Sequence, residues 1–181
     1  MREFDDMKLA RIIDACGGVD GRVKMQKIVY LLKAMGYDLP FGDFRIRQLG
    51  PFSRAVACST DTLKAAGIIE EMPEDLGVNE VGEPVQQFSY KVSDSMRLLL
   101  KKRFDIAKPQ GKPAIETVAS ALKDCDRAVL EVAATKVYLQ REDRLKGGAL
   151  DTELKRLKGH LSSRFDEADA LLAKLRDQGW L

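Results

Sequence analysis

Apolar residues in the first third of the chain recur at helical spacing. Leu9, Ile12, Ile13 and Cys16 mark one face of a helix over residues 4–16, which Gly17-Gly18 ends. Asp20 stands where a cap belongs, and Met25, Ile28, Val29 and Leu32 form the i, i+3, i+4, i+7 stripe of a second helix that stops at Gly36. From Phe44 the pattern changes. A short strand runs into the break Gly50-Pro51-Phe52-Ser53, where Pro51, with its fixed φ and missing N–H, suits the first turn of a third helix, with Ser53 helping to cap it. Rotating ~100° per residue from Val56 puts Phe52, Ser59, Thr60, Leu63 and Gly67 on one side of that helix, and Arg54, Ala57, Cys58, Asp61 and Lys64 on the other. The first side faces the core and the second is free.

Gly67 supplies a left-handed stop, and Ile68-Ile69-Glu70-Glu71 enters as a half-buried strand. After a polar loop, Phe88, Tyr90 and Val92 alternate with Ser89 and Lys91, which predicts a second strand over Gln87 to Val92. Ser93 is placed to cap a helix carrying Met96, Leu99, Leu100 and Phe104. Beyond the Pro- and Gly-rich stretch around Lys108 to Pro113 the chain reads as helical: Ala114–Leu122, Arg127–Gln140, Leu150–Lys158 and Arg164–Gln178. The last carries Ser163 and Asp166 as a capping box and Gly179 as its stop. The order strand, helix, two-stranded wing is that of a winged helix. The expected fold is therefore mainly α with a small β wing: a winged-helix-like unit over 1–105, a hinge over 106–113, and a helical extension over 114–181 packed on that unit.

Composition narrows the class. With 181 residues, 45% of them apolar, the chain can bury a sizeable core without disulfide or metal. The N-terminus mixes charge with apolar residues, so no signal peptide is visible, and no run reaches the roughly 18 apolar residues of a membrane span. The cytoplasm is the expected location, with no membrane partner. Cys16, Cys58 and Cys125 are widely spaced and lack a Cys-x-x-Cys pair, so they read as reduced, mostly buried small hydrophobes. His160 is the only histidine, and nothing near it forms a triad or a metal set. Gly17 to Gly21 lacks the strand and the glycine pattern of a phosphate cradle. No cofactor, metal or catalytic residue is expected.

Charge is informative by region, although the net value is only +2. Residues 22–64 carry eight basic side chains against three acids, whereas residues 65–94 carry seven acids (Glu70, Glu71, Glu74, Asp75, Glu80, Glu83, Asp94) against Lys91 alone. An acidic wing is repelled by the phosphates that wings of DNA-binding winged helices adjoin. It suits a protein partner, with Glu70, Glu71, Glu74 and Asp75 as the contact residues. The alternative is a DNA-binding regulator using Arg54, Ala57 and Lys64 of the third helix, together with Arg97 and Lys101 of the helix after the wing. A homodimer through Leu150, Leu154 and Leu157 is a further expectation.

Three segments carry a resemblance: Lys24-Met25-Gln26-Lys27-Ile28-Val29-Tyr30-Leu31-Leu32, then Gly50-Pro51-Phe52-Ser53, then Leu63 to Glu71. They resemble the YwgA-like bacterial proteins, which are similar to the Panacea antitoxin-domain group, and Leu130 to Leu139 fits the same pattern. Lys24, Gln26, Lys27 and Tyr30 match a Lys-x-Gln-Lys-x-x-Tyr portion. Pro51 and Ser53 match a Tyr-Gly-Pro-Phe-Ser portion, in which Leu49 stands where Tyr is usual. The resemblance implies no known enzymatic activity. Through the Panacea group it implies toxin neutralisation or adaptor roles and a protein partner, a toxin or a regulatory target. Lys24 and Lys27 either neutralise the C-terminal end of a neighbouring helix or meet an acidic ligand.

Overall fold

Two glycines turn the chain back on itself after its first helix. Gly17 and Gly18 hold φ of +66° and +116°, and a Cβ on Gly18 would stand 3.0 Å from the Lys91 side chain, so only glycine fits this crossing. In the computed structural model, which describes residues 2–78, 81 and 83–181 (2–4 and 84 by backbone only), α1 (Arg2–Ala15) therefore leads directly into the short β1 (Val19–Asp20). Asp20, expected as a helix cap, instead pairs in β1 opposite Ser89. The N-cap of α2 (Arg22–Ala34) is Gly21, with no side-chain cap.

The inward stripe of α2 is broader than its spacing suggests, because every residue from Met25 to Leu32 is buried. The surroundings explain this: α2 packs against α1, α3, α5 and α6 as well as β3. The segment after α2 is also inside, with Tyr37, Leu39 and Phe41 buried and the Tyr37 hydroxyl donating to Pro113 O at 2.8 Å.

A hairpin follows that periodicity did not predict. β2 (Arg45–Arg47) pairs antiparallel with β3 (Gly50–Phe52), so Pro51 lies opposite Ile46 in a strand and not in the first turn of a helix. A two-stranded ribbon has open edges on which the missing N–H of proline costs no ladder bond. The third helix, α3 (Arg54–Ala65), starts two residues later, with the Ser53 hydroxyl accepting from Val56 N–H at 3.4 Å. Its faces are as the 3.6-residue period requires: Val56, Ser59, Thr60 and Leu63 are buried, while Arg54, Cys58, Asp61 and Lys64 are exposed.

The two strands expected to form a wing exceed their expected length. β4 (Ile69–Val78) and β5 (Pro84–Val92) form a long antiparallel ribbon, irregular between Asp75 and Val78, and the sheet order is β1-β5-β4. Glu80 lies outside the described residues. Ser93 takes the N-cap position of α4 (Asp94–Arg103), but its hydroxyl donates to the carbonyls of Gly67 and Ile68 and caps no helix N–H.

The C-terminal part is helical: α5 (Ile115–Lys123), α6 (Arg127–Arg141) capped by Asp126, α7 (Gly147–Lys158), a 3-10 segment (Gly159–Arg164) and α8 (Phe165–Asp177). Ser163 is inside the 3-10 segment and Arg164 precedes α8 without a side-chain cap, so the expected capping box is not formed. One apolar cluster spans both halves, with Leu9 and Ile12 of α1, Leu31 of α2, Leu130 and Val137 of α6 and Leu172 of α8 all fully covered. Leu150 and Leu154 are buried in this core, and Leu157 is half-buried against it. No helix among the described residues is long and apolar enough to cross a membrane.

Leu32 and Leu63 are essentially inaccessible, whereas Arg54 is exposed. Truncation of either leucine to Ala should cost about 2–5 kcal/mol in chemical denaturation, and Arg54→Ala less than about 0.5 kcal/mol. Equal losses from all three would contradict the burial of α3 described here.

Candidate functional site

The segments Lys24–Leu32, Gly50–Ser53 and Leu130–Leu139 meet at the β2–β3 hairpin, whereas Leu63 to Glu71 lies at the end of α3 and the start of β4. Gln26 and Lys27 sit on the buried face of α2, opposite the hairpin. The Gln26 carboxamide donates to Ser53 O at 3.0 Å and accepts from Ser53 N–H at 2.9 Å, pairing with that residue as a neighbouring strand would. Lys27 Nζ donates to Pro51 O at 2.8 Å. From the other side, Lys158 at the end of α7 donates to Gln48 O at 2.6 Å and to Glu131 Oε1 of α6 at 2.6 Å. A side chain cannot be added at Gly50: its φ is +85°, and a Cβ there would meet Thr135 Oγ1 at 2.7 Å. Thr135 is held in turn by donating to Glu131 O.

Two ammonium groups and one carboxylate are thus enclosed together, since Lys27, Lys158 and Glu131 are all at most 3% exposed. Burial outweighs the attraction of Glu131 for Lys27. Desolvation, reinforced by the like charge of Lys158, brings the Lys27 pKa down to about 8. Glu131 and Lys158 are partners that sequence reasoning missed. Glu131 carried a legible signal, a lone carboxylate inside the apolar run Val129 to Ala134. Lys158 carried none.

The other motif residues do separate work. Tyr30, one turn beyond Gln26, packs edge-on against Phe44 at 5.1 Å and beside Tyr138 at 5.9 Å, and burial pushes its phenol well above the usual range. Lys24 diverges from Lys27. It is half-buried and close enough to Cys16 and Cys125, at the C-terminal end of α5, to lower the pKa of both thiols against the burial that raises them. Cys16 is buried, Cys125 half-buried and Cys58 exposed on the outer face of α3, so the reading of the cysteines as buried hydrophobes fails at Cys58.

The wing acids are not brought together. Glu71 faces α3 and is engaged: it accepts from Lys64 Nζ and from the Tyr90 hydroxyl, each at 2.7 Å, and Arg22 lies 3.5 Å away. Those donors hold its carboxyl below the usual range. Arg22 also pairs with Asp61 at 2.7 Å and donates to the Tyr90 oxygen at 2.9 Å. Glu70 is exposed opposite Lys91 in the ladder, Glu74 accepts a long bond from Gln87, and Asp75 accepts from Gly77 N–H. Arg97 on α4 bonds Asp14 at 3.1 Å, and Lys101 is exposed on the same helix, away from the Arg54, Ala57 and Lys64 surface of α3.

Beside that surface is a cavity of about 430 Å³, walled by α2, the hairpin and α3. Its wall is overwhelmingly apolar and includes Val23, Met25, Leu49, Phe52, Val56 and Ala57. Arg47 stands at its edge with its guanidinium 5.1 Å from the Phe52 ring centroid. Among the described residues no group of His, Cys, Asp and Glu is arranged to hold a metal ion.

The chain is similar to YwgA. Over 171 residues it is 25% identical to the uncharacterized protein YwgA of Bacillus subtilis strain 168, across 93% of this chain and 95% of that protein. No model of a protein family matches it, and no solved structure does.

The enclosed charges make two predictions. Glu131→Ala leaves two buried ammonium groups without a counter-charge and should destabilise the fold by about 3–5 kcal/mol in urea unfolding, and a loss under about 1 kcal/mol would contradict the arrangement. Because the folded Lys27 pKa of about 8 lies below its ordinary 10.5, the unfolded chain holds that proton to higher pH. The stability contributed by Lys27 is therefore lowest below about pH 8 and rises toward about pH 10.5. Relative to Lys27→Met, the natural chain should gain stability over that window. A difference that stays constant from about pH 7 to about pH 10 would exclude the depressed pKa.

Proposed function

We propose that the chain is a non-catalytic, winged-helix-like regulatory module that acts in the cytoplasm by binding another protein, in the antitoxin-like or adaptor-like manner of the Panacea-related group. Support for the winged-helix reading comes from the order α1-β1-α2, then α3-β4-β5 after the inserted β2–β3 hairpin, together with a sheet in which β1 pairs with β5 and β5 with β4. Support for a protein partner comes chiefly from one observation: internal carboxylates already neutralise Lys64, one of the two α3 cations expected to face phosphates, and the neighbouring Arg22 of α2. Lys64 is joined to Glu71 at 2.7 Å, and Arg22 is shared between Asp61 and Glu71. Freeing these groups for a nucleic acid breaks internal pairs before any counterion is released, which lessens the electrostatic gain that drives such binding. The apolar cavity beside α3 adds a surface suited to side chains.

DNA regulation is the second reading, favoured by Arg45, Arg47 and Arg54. These lie on β2 and at the start of α3, and no carboxylate among the described residues comes within 4 Å of them.

Glu70→Gln, Glu74→Gln and Asp75→Asn test the two readings while sparing Glu71, which is tied into the α3 pairs. If a protein is bound, the triple substitution should weaken co-purification of the native partner from nuclease-treated lysate, through lost electrostatic steering. If DNA is bound, the same variant should bind duplex more tightly in fluorescence anisotropy, with affinity falling steeply between about 50 and 200 mM salt. Tight, salt-sensitive duplex binding enhanced in the variant, with no protein co-purifying, would reverse the order of the readings.

A further inference from the structure

The cavity between α2, the hairpin and α3 has features that the charge map alone does not explain. It is of the size that ordinary ligand sites occupy, and no side chain among the described residues fills it. Its hairpin wall is fixed in place, because Gln26 holds Ser53 from both sides and Lys27 holds Pro51. Leu49 at the hairpin tip remains 42% exposed at its mouth.

The polar side chains that α2 and α3 place in its wall are already engaged, which leaves those of Arg47 and Gln48 on the hairpin. Both ends of the Gln26 carboxamide are used by Ser53, the Thr60 hydroxyl donates to Val56 O at 2.8 Å, and Lys27 donates to Pro51 O. A nucleobase or a sugar seated between the apolar walls would lose its water for few hydrogen-bonding partners, chiefly Arg47 and Gln48 of the hairpin, whereas an aliphatic or aromatic side chain gives up no hydrogen bond on entering. The surroundings select the flanks of that side chain. Arg47 lies at the edge, Arg45 is two residues away on the same face of β2, and Arg54 opens α3; among the described residues none of the three has a carboxylate within 4 Å. Arg22, at the other edge, is the only one of these arginines already paired.

We infer that this cavity is the docking site for a short segment of a partner protein that presents a large apolar side chain flanked by Asp or Glu, the apolar group entering between Val56, Ala57 and Phe52 and the carboxylates meeting Arg45, Arg47 and Arg54. The inference rests on the protein-binding reading and names the chemistry of the partner. It also gives Ala57 a role that its place on the outer face of α3 left unexplained: a larger residue there narrows the cavity.

A phage-displayed library of random short peptides, selected against the full chain, tests this directly. The selected peptides should be enriched in Leu, Ile, Phe or Met next to Asp or Glu. Ala57→Trp, which fills the cavity, should weaken them by about thirtyfold or more, as loss of a central anchor does. Arg47→Glu should weaken them by about tenfold and reduce the salt dependence of what remains. Leu49→Asp, at the exposed mouth, serves as a second cavity variant should Ala57→Trp unfold in a thermal melt, and it should give the same loss. Selection of basic or purely polar peptides, no enrichment at all, self-association of the chain that displaces the peptides, or affinity unchanged in Leu49→Asp would overturn the assignment. A native partner whose co-purification is lost on wing neutralisation but untouched by both cavity variants would overturn it too, while leaving the protein-binding reading in place. Loss of that partner in neither set of variants would sink the reading itself.

Discussion

The enclosed cluster of Lys27, Glu131 and Lys158 holds together parts of the chain that sequence separates by more than a hundred positions. Placing three charges out of water is costly, and one carboxylate between two ammonium groups does not balance them. The arrangement persists because each ammonium also satisfies a backbone carbonyl of the hairpin, Lys27 that of Pro51 and Lys158 that of Gln48. Those carbonyls are on a ribbon with only three residues in each strand, too short to be stable by its own ladder. The hairpin is thus held from α2 on one side and from α6 and α7 on the other. N-terminal and C-terminal helices are not independent in this respect: removing Glu131 from α6 disturbs a ribbon that belongs to the first half of the chain.

Fixing the hairpin has a consequence at the surface. The ribbon, α2 and α3 are three separate walls, and an apolar space between them stays open only if none can collapse onto another. Gln26 bonding both backbone groups of Ser53 sets the distance between α2 and the start of α3, and the left-handed Gly50 against Thr135 sets the depth of the ribbon. Gln26, Lys27, Pro51 and Ser53 therefore build the cavity's frame, and the wall residues Val56 and Ala57 are supplied by the helix that this frame orients.

Much of the helical framework was legible, because periodicity depends only on neighbours three or four positions apart. Most of α3's faces emerged as expected, although Gly67 on the expected core side is exposed and Phe52 and Ala57 are half-buried, and the glycines at 17, 18, 36, 67 and 179 follow helices in a left-handed conformation. What escaped was non-local. The short strand before Gly50 was expected, but its three-residue partner β3 has too little alternation to register, so the break at Gly50-Pro51 read as the start of a helix. Asp20 read as a helix cap because only the distant partner β5 makes Val19–Asp20 a strand. Ser163 and Asp166 had the spacing of a capping box, yet residues 159–164 wind into a 3-10 segment, a choice set by packing after α7. The site was legible only as a motif. That Gln26 and Lys27 serve one carbonyl-rich ribbon required knowing where residues 48–53 lie.

The charge map shows the same limit from another direction. Counted along the chain, residues 22–64 are strongly basic and 65–94 strongly acidic, which describes two opposed surfaces. In three dimensions the two regions touch, and the opposition is partly cancelled where they meet: Lys64 and Arg22 against Glu71 and Asp61, with Tyr90 bridging Arg22 and Glu71. Lys27 is withdrawn from the surface altogether. The basic charge that remains available is concentrated at Arg45, Arg47 and Arg54, around an apolar cavity and not along a groove-length stripe. A polyanion gains most from many evenly spaced cations, because each released counterion adds to affinity. A few cations around an apolar recess favour a ligand that combines a hydrophobic group with a small number of carboxylates, and proteins supply that combination readily.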